Sequence, residues 1–174
     1  MSLALVYLGK PQCNTNPADL KELNALLEAQ KPFVKVYNSD GTVERQVSGE
    51  TLMHEQWSGK ALETRQQKPA FRYVYPKEGI IGWMDNVAVL KDAKNVDNAK
   101  LFQNFMMDPE NAALISDFAG YDNGITGANK FLPPAFANSP EIKAPAGSPT
   151  PEFVEPCPKA VLEIYNKIWT NLRK

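Results

Sequence analysis

The chain has 174 residues, 43% of them hydrophobic and 22% charged, with 19 basic and 20 acidic side chains. A chain of this length can bury roughly 70% of the surface its unfolded form exposes, so neither metal nor disulfide is required for a core. The net charge of −1 gives no electrostatic footprint for nucleic acid or an anionic membrane. The apolar runs are too short to span a bilayer.

Met1-Ser2-Leu3 leads into Ala4–Leu8 with no basic residue ahead of the apolar stretch and no small-residue cleavage site behind it, so this is not a secretory signal. The segment reads as the last turns of a helix ended by Gly9 and Pro11, which suggests a fragment with a short leader fused on. Asn16-Pro17-Ala18-Asp19 opens a second helix with a capping side chain, a first-turn proline and an early acid. Leu20, Leu23, Leu26 and Leu27 continue it at helical spacing to about Gln30. The composition of 33–37 predicts a strand closed by the turn Asn38-Ser39-Asp40-Gly41. Thr42 to Val47 is ambiguous. Strands are expected at 50–56, 71–75 and 83–90, and a helix from Ser58-Gly59 to about Gln67.

From Asn95 the pattern turns helical. Val96, Ala99, Phe102, Phe105 and Met106 form one stripe, and Asp108-Pro109-Glu110 caps a helix carrying Ala112, Leu114, Ile115 and Phe118. Gly120 ends that helix and leaves Tyr121 at its exit. A short helix near 128–132 precedes a stretch, Pro133 to Pro158, that holds eight of the 14 prolines and should be irregular. A final helix from about Pro158 carries Val161, Tyr165, Ile168 and Leu172 on one face. Strands interleaved with helices, then helices alone, indicate an α/β architecture.

Chemistry-bearing residues are sparse. Cys13 and Cys157 permit one bridge, in an oxidising compartment, or are two unrelated thiols. The single histidine, His54, would have to serve any Ser–His or Cys–His pair, and no spacing supports one. Two cysteines and one histidine do not make a zinc set, and Gly124-Ile125-Thr126-Gly127 lacks the lysine and preceding strand of a phosphate loop. The reading is a non-enzyme with no metal or cofactor. What stands out is a set of aromatics with one acid. Trp57 precedes Ser58-Gly59, Trp83 and Asp85 flank Met84 and so point the same way in an extended segment, and Tyr121 follows Gly120. Aromatic faces attract cations by about 0.5–2 kcal/mol each, and a carboxylate among them adds a charge-assisted hydrogen bond to an ammonium. The alternative is that both tryptophans are core residues and Asp85 a turn acid.

The segments Pro76-Lys77-Glu78-Gly79 with Trp83-Met84-Asp85, Ala93-Lys94-Asn95 with Ala99 and Phe102-Gln103-Asn104-Phe105, Asp108-Pro109-Glu110-Asn111-Ala112-Ala113, and Gly120-Tyr121 are shared in order with a known family. So are Ser48-Gly49-Glu50, Gln56-Trp57-Ser58-Gly59 and Tyr165-Asn166-Lys167-Ile168-Trp169-Thr170. From about Leu5 onward the chain resembles the C-terminal half of the spermidine/putrescine-type periplasmic solute-binding proteins of ABC importers. The resemblance implies a type II-like periplasmic binding fold of α/β class, of which this chain would be the second lobe plus the C-terminal return helices. Residues 4–82 would be the second-lobe segment, and 83–174 the hinge crossing and helical C-terminal segment.

By the same resemblance Trp57, Trp83, Asp85 and Tyr121 line the ligand cleft, with Asp85 holding an ammonium group. The partners implied are a small amine, an ABC permease and a missing N-terminal lobe, in the periplasm. The apolar surface left by that lobe would favour self-association, and the fragment alone would bind amines weakly or not at all. Lys60, three residues after Trp57, departs from a purely cation-seeking cleft. It either points to solvent or pairs with a ligand carboxylate, in which case the cargo is an ω-amino acid. A lobe that binds no solute and serves as a protein-interaction module is the alternative function, and a hydrolase using His54 a more distant one.

Overall fold

The computed structural model describes all residues, 1–174, and the chain forms two compact units that interleave along the sequence. One unit comprises Met1–Asn38, Val74–Met84 and Ala146–Lys174; the other comprises Ser39–Tyr73 and Asp85–Pro145.

The first unit is built on α1 (Ser2–Tyr7), α2 (Pro17–Gln30) and the C-terminal α8 (Lys159–Leu172). Gly9 is left-handed at φ +65°, which ends α1 as the sequence predicts. α2 starts where expected: the Asn16 side chain accepts a hydrogen bond from the Ala18 N–H, and Pro17 occupies the first turn. Leu5, Leu23, Leu27, Val161, Tyr165 and Leu172 form the core, so the predicted stripes of α2 and α8 face one another. The Asn14 N–H donates to the buried Tyr165 hydroxyl at 3.0 Å, and the Asn14 side-chain amide donates to Asp19 at 2.8 Å. Lys10 pairs with the same Asp19 at 2.8 Å. Beside this network Cys13 and Cys157 form a disulfide across a sequence separation of 144, which settles the open pairing. Cys13 sits at φ +54°, the one non-glycine residue in the left-handed region.

The only β-ladder is a parallel pair of two-residue strands in this unit, β1 (Ile81–Gly82) and β2 (Glu152–Phe153). The strands expected at 33–37, 50–56, 71–75 and 83–90 are absent. Their β-rich composition is real, but no neighbouring strand meets them, and a strand without a ladder leaves its backbone groups to solvent. Phe33 closes a 3-10 turn (Lys31–Phe33), and Leu52, Met53, Val74 and Leu90 are exposed. β2, inside the proline-rich stretch, has no hydrophobic alternation to announce it.

The second unit packs α3 (Thr42–Ser48), α4 (Ser58–Gln67), α5 (Val96–Met106), α6 (Pro109–Ala119) and the single turn α7 (Pro134–Ala137). The ambiguous segment after Gly41 is thus helical. Leu62, Ala112, Ala113, Ala128, Leu132 and Phe136 form its core. α6 begins as its capping signal requires, Asp108 accepting from the Glu110 N–H at 3.1 Å. Its inward face is Ala112, Ala113 and Ser116 rather than the larger Leu114, Ile115 and Phe118, which stay exposed. The expected α5 stripe also fails to become core: none of its residues is buried, and Phe102 and Phe105 are exposed. The short helix expected near 128–132 is a 3-10 turn, Ala128–Lys130. One ion pair is deeply set: Arg65 Nε and a terminal guanidinium nitrogen grip Glu141 at 2.7 and 2.8 Å, and the Glu141 side chain is 1% exposed. Such bidentate geometry compensates the desolvation that a lone carboxylate would suffer there.

Candidate functional site

The site is assembled at the start of α4. Trp57 is its N-cap residue with extended backbone (φ −63°, ψ 146°), and no side chain caps the helix. Trp57 therefore leaves a loop, not the strand expected for 50–56. The approach is pinned from behind. Gln56 Nε2 donates to the Thr64 hydroxyl at 2.9 Å, and that hydroxyl donates to the Lys60 carbonyl at 2.9 Å. A bond from the residue before the cap to the second turn fixes the direction in which Trp57 emerges.

Two glycines bring a second element against this turn. A Cβ built on Gly59 would lie 2.8 Å from Tyr121 Cζ and 3.0 Å from the Gly120 carbonyl oxygen, well inside normal contact distance. Gly120 ends α6 in the left-handed region at φ +77°, and its own Cβ would stand 3.2 Å from the Gly59 Cα. The α6 exit and the first turn of α4 touch through backbone, and the Tyr121 ring lies on the bare Cα of Gly59.

The electrostatics follow. Burial pushes the Tyr121 hydroxyl above the usual phenol range; the Lys60 cation opposes this and the Asp85 carboxylate reinforces it. Lys60 is itself raised, first by its hydrogen bond to Glu63 (Nζ–Oε2 2.8 Å) and then by that residue's charge. Trp57, Lys60, Asp85 and Tyr121 thus belong to one unit, with a cation and an anion both acting on one phenol. Trp83 belongs to the other unit, directly after β1 in the segment that ends at Met84. Neither indole is a core residue: Trp57 is 43% and Trp83 46% exposed.

His54 lies in the loop before Trp57, lining a cavity of about 40 Å³ with Gln46, Gln56, Thr64 and Tyr73. Its Nδ1 faces the Glu55 carbonyl oxygen, and both cysteines weighed as nucleophiles are consumed in the disulfide. What sequence reasoning missed is the Gly59–Gly120 contact and the Glu63 partner of Lys60. The signal for the first was present, a glycine after Trp57-Ser58 and another before Tyr121, but nothing in the sequence brings the two together.

Comparison with known proteins gives a consistent result. A family model described as bacterial extracellular solute-binding protein matches residues 1–144. The spermidine/putrescine-binding periplasmic protein of Salmonella typhimurium is 32% identical over 140 residues, 80% of this chain and 40% of that protein. The protein of the same description from Escherichia coli is 33% identical over 136 residues, 78% of this chain and 39% of its own length. Among solved structures, a putative spermidine/putrescine ABC transporter from Listeria monocytogenes superposes with a TM-score of 0.83 at 30% identity, covering 98% of this chain and 53% of that one. The spermidine/putrescine ABC transporter substrate-binding protein PotD from Streptococcus pneumoniae superposes at 0.85 with 25% identity and the same coverage. The chain spans 40% of the Salmonella relative, so it corresponds to part of such a protein. The fold is that of these neighbours, a partial periplasmic-binding architecture, although the chain's own ladder is far smaller than its sequence suggests.

Proposed function

The chain belongs to the bacterial extracellular solute-binding proteins, and from that premise we propose that it supplies the second lobe and C-terminal return helices of a periplasmic protein that captures a polyamine or related small amine for an ABC permease. Asp85 takes the ammonium group, and Trp57 and Tyr121, on the same unit, offer electron-rich faces for it. The observation that carries the reading is the seating of Tyr121 on Gly59, which holds a phenol at the head of α4 beside the exposed Trp57 indole, on the same unit as Asp85. None of these aromatics is needed for the core of that unit. The disulfide accords with an oxidising compartment. In this reading 4–82 and 83–174 mark segments of an intact two-lobed protein, a division by lobe and not by the contact units of this chain.

The apolar faces of α5 and α6 also bear on function. Leu101, Phe102, Phe105, Leu114 and Phe118 are exposed, Phe118 at 95%. A soluble protein seldom leaves such a surface bare. In the intact protein the N-terminal lobe covers it; without that lobe, copies of the chain associate through it. The same surface would suit a protein-interaction lobe that binds no solute, and the ligand decides between the two. Calorimetry on the intact protein should show heat on adding putrescine or spermidine, abolished by Asp85→Ala. No response to either amine in the intact protein refutes transport and favours the interaction lobe.

A further inference from the structure

The cavity beside the approach to α4 lies wholly within the second unit, its lining drawn from between Gln46 and Tyr73. Its hydrogen bonds can be traced back from two carbonyl oxygens, which only accept. The Lys60 carbonyl takes the Thr64 hydroxyl proton at 2.9 Å, so that hydroxyl receives a Gln56 amide N–H, also at 2.9 Å, and Gln56 Oε1 is left over. The Glu55 carbonyl faces His54 Nδ1, so Nδ1 carries the ring proton and Nε2 of the neutral imidazole is a bare lone pair. Gln56 Oε1 and His54 Nε2 are both shut off from solvent without a protein partner, and both residues line the cavity. We propose that His54 and Gln56 form a two-acceptor site for one small neutral molecule with two hydrogens to give, a water, which braces the loop from which Trp57 emerges.

Size, charge and polarity select that occupant. A volume of about 40 Å³ holds roughly one to three waters and no polyamine. Arg65 and Arg72 line the same cavity; Glu141 answers Arg65, whereas Arg72 donates to the neutral Pro69 and Phe71 carbonyls. That surplus positive charge disfavours an ammonium ion, and two acceptor lone pairs disfavour an anion. A water gives one hydrogen to each acceptor and keeps its own lone pairs for the donors around it. Without such a donor, each acceptor would carry the desolvation cost of a buried, unmade hydrogen bond. Through Gln56 the bridge reaches Thr64, which is 2% exposed, and the first turn of α4. His54 thereby acts as a positioning residue for Trp57, whatever Trp57 binds, and the inference stands apart from the amine reading.

The full chain offers a direct test, because His54 is its only histidine. In nitrogen NMR at about pH 8.5 the imidazole should show Nδ1 protonated and Nε2 bare. A long-lived water should give cross-relaxation to the imidazole and to the Gln56 side-chain amide. Adding ammonium chloride or sodium acetate should move neither signal beyond a sodium chloride control. A protonated Nε2, the lack of a long-lived water, or saturable binding of either ion overturns the site. These measurements use the wild type and hold whatever a variant does to folding. His54→Phe removes one acceptor, and the Gln56 amide protons, no longer braced, should exchange with solvent about fivefold faster. Unchanged exchange in a variant that still melts cooperatively overturns the positioning role.

Discussion

Reducing the Cys13–Cys157 bridge should destabilise one unit of the chain and leave the other folded. The bridge joins the N-terminal and C-terminal segments of the first unit, and the whole of the second unit lies in the loop between them. Closing a loop of 144 residues removes about 5 kcal/mol of chain entropy from the unfolded state, and measured losses on removing native disulfides run from about 2 to 5 kcal/mol. With a urea dependence of about 2 kcal/mol per molar, the unfolding midpoint of the first unit should fall by about 1–2.5 M. Trp169, edge-on to Tyr37 at 5.3 Å in that unit, reports its unfolding by fluorescence. Amide exchange separates the units: protection should drop in α2 and α8 and persist in α4 and α6. Cys13 adds an internal control, because its left-handed backbone costs a non-glycine residue about 1–2 kcal/mol. Cys13→Gly with Cys157→Ser should therefore be more stable than Cys13→Ser with Cys157→Ser by about 1 kcal/mol. A midpoint shift below about 0.3 M, under the error of the extrapolation, or loss of α4 and α6 protection ahead of α8, would refute the reasoning.

Gly59→Ala should cost about 1–3 kcal/mol, because its methyl group meets the Tyr121 ring at 2.8 Å and the Gly120 carbonyl at 3.0 Å; urea melts that match the wild type would mean that the α4–α6 contact is loose. Spectrophotometric titration of tyrosinate should find Tyr121 above the usual phenol range, moved down by Asp85→Asn and further up by Lys60→Ser, the opposite signs following from the two charges acting on it. Asp19, held below the ordinary carboxylate range by its hydrogen bonds from Lys10 and Asn14, contributes stability that is complete above its unfolded value near 3.8 and lost as pH falls through the lower folded value. Melts between pH 5 and 2 should therefore show a steeper acid loss for the wild type than for Asp19→Asn.

Helices were legible because their signals are local. Asn16-Pro17 and Asp108-Pro109 announce the starts of α2 and α6, and Gly9 and Gly120 the ends of α1 and α6, whatever the rest of the chain does. Strands have no such autonomy. The composition of 33–37 or 83–90 fits a pleated ribbon, but a strand exists only where another backbone meets its hydrogen-bonding edge, and here that happens only between Ile81–Gly82 and Glu152–Phe153, outside every expected segment. Helical burial was read less well than helical existence. The leucines of α2 and the stripe of α8 found each other across one core, whereas α5 and α6 carry apolar residues on faces with nothing packed over them. Periodicity identifies the face that seeks burial; it does not supply the surface that buries it.

The candidate site divides along the same line. Residue type suggests an amine-binding role for Trp57, Asp85 and Tyr121, but leaves open that the tryptophans are core and Asp85 a turn acid; the family resemblance is what makes them cleft candidates. What brings Tyr121 to the turn that Trp57 caps is a contact between two glycines 61 positions apart, a close approach of backbones that has no sequence signature beyond the glycines themselves. The consequence reaches to Lys60. Read from the sequence, it is a surface lysine at the start of a helix; once Gly59 is seated under Tyr121, the lysine's charge and that of Asp85 bear on one hydroxyl.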